Sequence, residues 1–167
     1  MGITPEEELG ETFFENSLQK ARVANATSGK LSLGDDSGLI VPALNNLPGL
    51  RSARYAHECA TDEENRLFLK QELEKLELNH ANAYFVCVLV LVKTSADPFP
   101  LIATGLLEGS VKTTMTGTNG FGYDPMFYPE GSDLSLGEMG ADEKALLSHR
   151  GKAIQILKRK IEGFASE

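Results

Sequence analysis

The chain has 167 residues, 41% of them hydrophobic and 24% charged, with a formal net charge of −8; this is the size and balance of one globular domain and excludes disorder for the bulk of it. Two cysteines, Cys59 and Cys87, are too few for a disulfide framework or a zinc site and read as reduced thiols of a cytoplasmic protein. The longest apolar run, Ala83 to Val92, is too short to cross a bilayer, the first residues carry no leader pattern, and the acidic balance argues against polymeric nucleic acid as a partner, though a single nucleotide bridged by a divalent ion is compatible with it.

No repeat or linker divides the sequence, so residues 1–167 are expected to form a single domain mixing helices and strands. Thr12-x-x-Glu15 has the form of a capping box, followed at helical spacing by Phe14, Leu18, Ala21 and Ala24, with Gly29 as the stop. Leu31 and Leu33 alternate with polar neighbours; Asp35-Asp36-Ser37-Gly38 then interrupts, and Leu39-Ile40-Val41 resumes, which predicts a strand, a polar kink and a second short strand. Pro48-Gly49 is a turn. Thr61-x-x-Glu64 opens a second capped helix with Leu69, Leu73 and Leu76 on one face. Ala83 to Val92 reads as a central strand, Asp97-Pro98-Phe99-Pro100 as a turn, and Leu101 to Leu107 as a neighbouring antiparallel strand. A glycine-rich loop follows from Gly117 to Pro125, and Ser148 is placed to cap a last helix with a stripe of Ile154, Leu157 and Ile161.

Four groups of residues have chemistry to offer. Asp35-Asp36-Ser37-Gly38 sets two carboxylates side by side; neighbours on a strand point to opposite faces, so one of them faces any given site. Such a carboxylate can hold Mg²⁺ and deprotonate water, with Ser37 and the Gly38 backbone donating to a phosphate; a self-satisfied Asx turn is the alternative. The acidic opening Glu6-Glu7-Glu8 is either a solvated face or the source of a further metal carboxylate. In Gly117–Pro125, glycines flank Phe121 and Tyr123; either an aromatic ring lies on a base or both rings are buried in the core. Lys144, four residues before Ser148, together with His149 and Arg150, gathers donors near a helix start, a place suited to an anion or a carbonyl; a solvated basic junction is the alternative. Lys20, on the first helix, reaches a phosphate if that helix leads to the aspartates.

In this order and spacing the pieces resemble the inosine triphosphate pyrophosphatase family. The matching segments are Gly10–Asn16 with Lys20-Ala21-Arg22, Asp35–Leu39, Pro48-Gly49 with Ser52–Tyr55, Thr61–Asn65, Phe85-x-Cys87-Val88-Leu89, Gly117–Pro125, and Glu143-Lys144 with Ser148–Gly151. The resemblance implies an elongated α/β domain, a mixed sheet flanked by helices with a nucleotide cleft between two lobes, and a homodimer. It implies a Mg²⁺-dependent hydrolase that converts ITP, dITP or XTP to the monophosphate and pyrophosphate. Asp36 is then the catalytic carboxylate and a metal ligand, with Asp35 and Glu8 completing the metal shell. Ser37, Lys20 and Lys144 hold phosphates; Phe121 stacks on the purine; Gly122, Tyr123 and Asp124 shape the base and ribose pocket; and Ser148, His149 and Arg150 read the purine edge, Arg150 at the 6-keto oxygen. Family members open with a strand and a Thr-x-Asn-x-x-Lys turn around the triphosphate, a segment that does not precede Glu8 here; a misassigned start, a shorter form and a lost function are the alternatives, and if this is the entire chain, weak or absent turnover or a nucleotide-binding relative without catalysis is expected.

Overall fold

The computed structural model describes residues 10–165, with side chains through Glu162. Its fold is mixed α/β with a sheet flanked by helices, as expected. The elements are α1 (Phe13–Ser28), β1 (Ser32–Val41), β2 (Leu47–Pro48), α2 (Asp62–Lys75), β3 (His80–Val92), β4 (Leu101–Lys112), β5 (Phe127–Pro129), α3 (Ala141–Leu147) and α4 (His149–Ala165). The five strands lie in the order β2-β1-β3-β4-β5. β2 pairs antiparallel with β1 through Ile40↔Pro48, and β5 pairs antiparallel with β4 through Ser110↔Tyr128. The described residues form two compact units: residues 10–37, 87–105 and 149–165 make the first, and residues 38–86 and 106–148 the second.

In the first unit, α1 begins at the expected Thr12 cap, with the return half of the box shifted by one residue to the Glu11 N–H. Thr12 Oγ1 accepts the Glu15 N–H at 3.2 Å, and the Glu15 carboxylate accepts the Glu11 N–H at 2.8 Å. Gly29 closes the helix in the left-handed region at φ 65°. The buried face departs from the expected apolar one: it is Asn16, Ser17, Ala21 and Asn25, while Phe14 is exposed. The cause is close packing on the strand. A Cβ on Gly34 would stand 1.9 Å from the Ser17 carbonyl oxygen, so helix backbone rests directly on β1 and only small or hydrogen-bonded side chains fit beside it. For the same reason Ser32 and Gly34 are buried while Leu31 and Leu33 are exposed, the reverse of what the alternation predicts.

β1 is also one continuous strand through Asp35–Gly38, where an interruption is expected. Its partner is β3: Asn25 Nδ2 donates to both the Lys30 and Lys93 carbonyls, at 2.7 and 3.1 Å, and Asp35 lies beside Cys87, so the two strands run antiparallel. Asp35 shares its face with Cys87, Leu89 and Ala103, which pack with Ala153 and Leu157 of α4. Gly105 admits that helix, since a Cβ there would meet the His149 carbonyl oxygen at 1.9 Å. Thus α1 and α4 cover opposite faces of this part of the sheet. Ser148 follows α3 as its C-cap residue, and its N–H reaches the Lys144 carbonyl. Of the expected stripe on α4, Leu157 is buried, whereas Ile154 and Ile161 are exposed.

The second unit has an apolar core in which Leu69 and Leu73 of α2 meet Ala81, Ala83 and Phe85 of β3, Leu107 and Val111 of β4, and Phe127. Leu76, expected on the same stripe, is the C-cap residue of α2 and half exposed. The Thr61–Glu64 capping box is complete, and its hydrogen bonds hold the Glu64 carboxyl below the usual glutamate range. The two glycine contacts differ in kind from an exposed cap. Gly34→Ala forces a methyl into helix backbone and should cost about 1–3 kcal/mol or unfold the chain. Gly29→Ala meets no atom within 4 Å and costs only the left-handed backbone, about 1–2 kcal/mol. Urea denaturation of the two variants checks the order, Gly34→Ala being the worse.

Candidate functional site

The residues singled out in the sequence fall into two clusters, one in each unit. In the first unit they centre on β1. Because successive side chains alternate, Asp36 points to α1 and Asp35 to α4. Asp36 is 7% exposed. Lys20 Nζ donates to its Oδ1 at 2.6 Å and to the Asp35 backbone carbonyl at 3.3 Å. Asn16 Nδ2 donates to its Oδ2 at 3.3 Å, while Asn16 Oδ1 accepts the Gly10 N–H at 2.9 Å. Asn16 and Lys20 are four residues apart and therefore share the helix face that meets the strand. A buried carboxylate between an ammonium and an amide is a charged acceptor fixed in place.

On the other face, Arg150 Nε donates to Asp35 Oδ2 at 2.7 Å, and Ser37 Oγ to Asp35 Oδ1 at 2.9 Å. The carboxylate raises the Arg150 guanidinium above its usual range. Both side chains of this pair remain partly exposed, so it adds at most about 1 kcal/mol to stability. Cys87 is buried beside Asp35, and burial pushes its thiol from 9.0 up to about 11. The two aspartates, neighbours in sequence, are thus divided between two helices. Among the described residues no three acidic, histidine or cysteine side chains gather into a cage for an ion. What β1 offers is hard carboxylate oxygen, Asp36 on one face and Asp35 on the other. Asp36 by itself suits Mg²⁺, which takes one or two protein carboxylates and completes its shell with water and phosphate oxygens, while Asp35, expected in the same shell, faces the other way. Glu8, the other expected ligand, lies outside the described residues.

In the second unit the glycine-rich loop separates its two aromatics, a choice the sequence leaves open. Tyr123 is 4% exposed, and its hydroxyl donates to the Ser52 carbonyl at 2.8 Å; burial raises its pKa. Phe121 is 60% exposed, with Lys144 Nζ 4.5 Å from its ring centroid. Asp124 is buried and holds the loop: its Oδ2 accepts the Phe121 N–H at 2.7 Å and the Lys144 ammonium. Gly120 is required there, because at φ 78° a Cβ would stand 2.0 Å from Asp124 Oδ2. Lys144 therefore lies with the aromatic and Asp124, whereas Lys20 lies with Asp36. Ser148 belongs to this unit and its neighbours His149 and Arg150 to the other.

Asn16 and Asp62 stand in segments that match the family, yet neither they nor Arg66 are given a role by the sequence, and all three carry site geometry. Their shared signal is spacing: Asn16 precedes Lys20 by four residues, as Asp62 precedes Arg66. A cavity of about 480 Å³ lies in the second unit beside Asn82, Tyr84, Glu108, Ser110, Lys112 and Tyr128; none of the predicted site residues lines it. Native protein should expose one fast-reacting thiol, Cys59, with Cys87 reacting only on unfolding, as a thiol-reagent titration checks. Ionisation of Cys87 in the unfolded chain alone should also lower stability as pH rises from about 9 towards 11.

The Ham1 family model matches residues 1–160. A Legionella pneumophila (strain Paris) protein named dITP/XTP pyrophosphatase is 44% identical over 158 residues, 95% of this chain and 81% of the relative. A Haemophilus influenzae protein of the same name is 44% identical over 161 residues, 96% of this chain and 83% of the relative. Among solved structures, a HAM1 protein from Coxiella burnetii superposes with a TM-score of 0.90 at 41% identity, covering 96% of this chain and 82% of its own. The Staphylococcus aureus Ham1 protein does so with a TM-score of 0.86 at 37% identity, covering 95% and 81%.

Proposed function

The chain belongs to the Ham1 family, and from that premise we propose that it is a nucleoside triphosphate pyrophosphatase acting on dITP, XTP and ITP. The names of its relatives support the substrate class, and the observation that carries the chemistry is the buried Asp36 carboxylate held by Lys20 and Asn16. In the reaction, water attacks the α-phosphorus. Asp36 accepts a proton from that water as its oxygen bonds to phosphorus. The bond from phosphorus to the α–β bridging oxygen breaks, and pyrophosphate leaves with the electron pair. Lys20, 39% exposed along its side chain, is long enough to exchange Asp36 for a phosphate oxygen as charge builds there.

Magnesium is the cofactor we infer: Asp36 would hold it, with Glu8 as a further ligand, and it would neutralise phosphate charge, whereas Asp35, on the opposite face and paired with Arg150, would not share that ion through its side chain. Phe121 supplies an exposed ring for the purine, within a loop that Asp124 stiffens. Arg150, with Ser148 and His149, donates to the 6-keto oxygen; adenine presents an amino donor at that position, and donors would then face donors. Ser37, Gly122 and Lys144 complete the phosphate and base contacts, while Tyr123 shapes the pocket from inside the core. A single cytoplasmic domain that pairs as a homodimer, and that takes no polymeric nucleic acid, goes with this reading.

The test is product analysis. Purified protein with Mg²⁺ should release pyrophosphate and monophosphate from dITP or XTP, faster than from dATP or dGTP. Asp36→Asn should lower kcat by roughly 10²–10⁴-fold with a smaller change in KM. Release of inorganic phosphate instead, or an undiminished rate in Asp36→Asn, overturns the proposal.

A further inference from the structure

In the loop that presents Phe121, side chains take up backbone groups beside that ring. The Phe121 N–H goes to Asp124. The next residue, Gly122, is held at both of its backbone polar groups from α2: its N–H donates to Asp62 Oδ2 at 2.6 Å, and its carbonyl accepts from Arg66 Nη1 at 2.6 Å. Asp62 and Arg66 are one helical turn apart and therefore reach the loop from one face of the helix. Both contacts are charge-assisted, the stronger class of hydrogen bond. Gly122 stands at φ 57°, in the backbone region open to glycine, between an exposed ring and a buried one. Its two peptide planes determine that Phe121 turns outward while Tyr123 turns inward.

The arginine gives a second indication. Its Nε is buried without a hydrogen-bond partner among the described residues. An arginine that only decorated the helix would extend its guanidinium into water and avoid that desolvation. Instead the head group stays beside the loop, on the Gly122 carbonyl.

We propose that Asp62 and Arg66 are positioning residues for the base: by gripping the N–H and C=O of Gly122 they fix the Phe121 ring as a preformed stacking platform, so that purine binding does not have to order the loop. This rests on the reading of Phe121 as the base platform given above. Preformed geometry lowers the cost of binding and leaves the chemistry at phosphorus untouched.

The experiment is a set of double-mutant cycles on dITP hydrolysis in the intact chain with Mg²⁺. Asp62→Ala and Arg66→Ala should each raise KM by roughly five- to twentyfold, with kcat within about twofold. Asp62→Asn, which keeps an acceptor, and Arg66→Lys, which keeps a donor, should recover part of the loss, separating the grip from a charge effect on the helix end. In a Phe121→Ala background, itself raised in KM, neither alanine change should raise KM further, because the residue they position is gone. The clamp is overturned if Asp62→Ala and Arg66→Ala leave KM unchanged while Phe121→Ala raises it, or if their effects persist in full in the Phe121→Ala background. If Phe121→Ala leaves KM unchanged, the platform itself falls and the clamp with it. If the parent chain does not turn over dITP, the pyrophosphatase reading fails; the clamp is then judged on acrylamide quenching of Phe121→Trp, the sole tryptophan in a chain that has none. Asp62→Ala should increase that quenching, and equal quenching overturns the clamp.

Discussion

The first unit depends on one constraint: two adjacent carboxylates on a strand must point to opposite faces. Asp36 and Asp35 could not both be sheltered by one helix. The structure answers with two helices, α1 bringing Asn16 and Lys20 to Asp36, and α4 bringing Arg150 to Asp35. Each helix comes close enough because a glycine lies beneath it, Gly34 for α1 and Gly105 for α4. The polar buried face of α1 follows from the same cause. Contact at backbone distance leaves no room for leucine, and the small or amide side chains that do fit also supply the hydrogen bonds that a buried charge requires.

The second unit solves a different problem, that of holding an irregular loop still. No sheet ladder satisfies the backbone around Phe121; a turn bond from the Asp124 N–H takes its carbonyl, and side chains take neighbouring groups, Asp124 from within the loop and Asp62 and Arg66 from α2. The same helix start also holds the segment after β2. Asn65 accepts the Ala56 N–H at 2.9 Å and donates to the Ala53 carbonyl at 3.1 Å, and the Tyr123 hydroxyl reaches Ser52 in that segment. One helix terminus thus anchors two loops, and the capping box at Thr61 secures the anchor.

How far the sequence revealed this divides along physical lines. Both helix starts were legible at Thr12 and Thr61 because a cap is a local arrangement of four residues. The family was legible because Asp35–Leu39, Gly117–Pro125 and Ser148–Gly151 occur in order. The continuity of β1 through Asp35–Gly38 was not, since aspartate and glycine are poor strand formers and only pairing with β3 overrides that preference. Nor was the burial of Asn16, Ser17 and Asn25: periodicity marks an apolar stripe, while here the partner is strand backbone. The fates of Phe121 and Tyr123 could not be read from alternation, because the loop has none; they follow from hydrogen bonds made some sixty or seventy residues away in sequence.

The pairing of Arg150 with Asp35 spans 115 residues of chain. The first unit is assembled from three separated stretches, and α4 supplies the last of them. As the chain is synthesised, β1 is made well before α4, and one face of its carboxylate pair has no Arg150 until α4 emerges. Contacts of such long range are formed late, because each must first offset the entropy of closing a long loop. Completion of the carboxylate cluster therefore waits for α4, and a ribosome-bound chain that lacks α4 would hold Asp36 beside Lys20 while Asp35 and Cys87 still faced water.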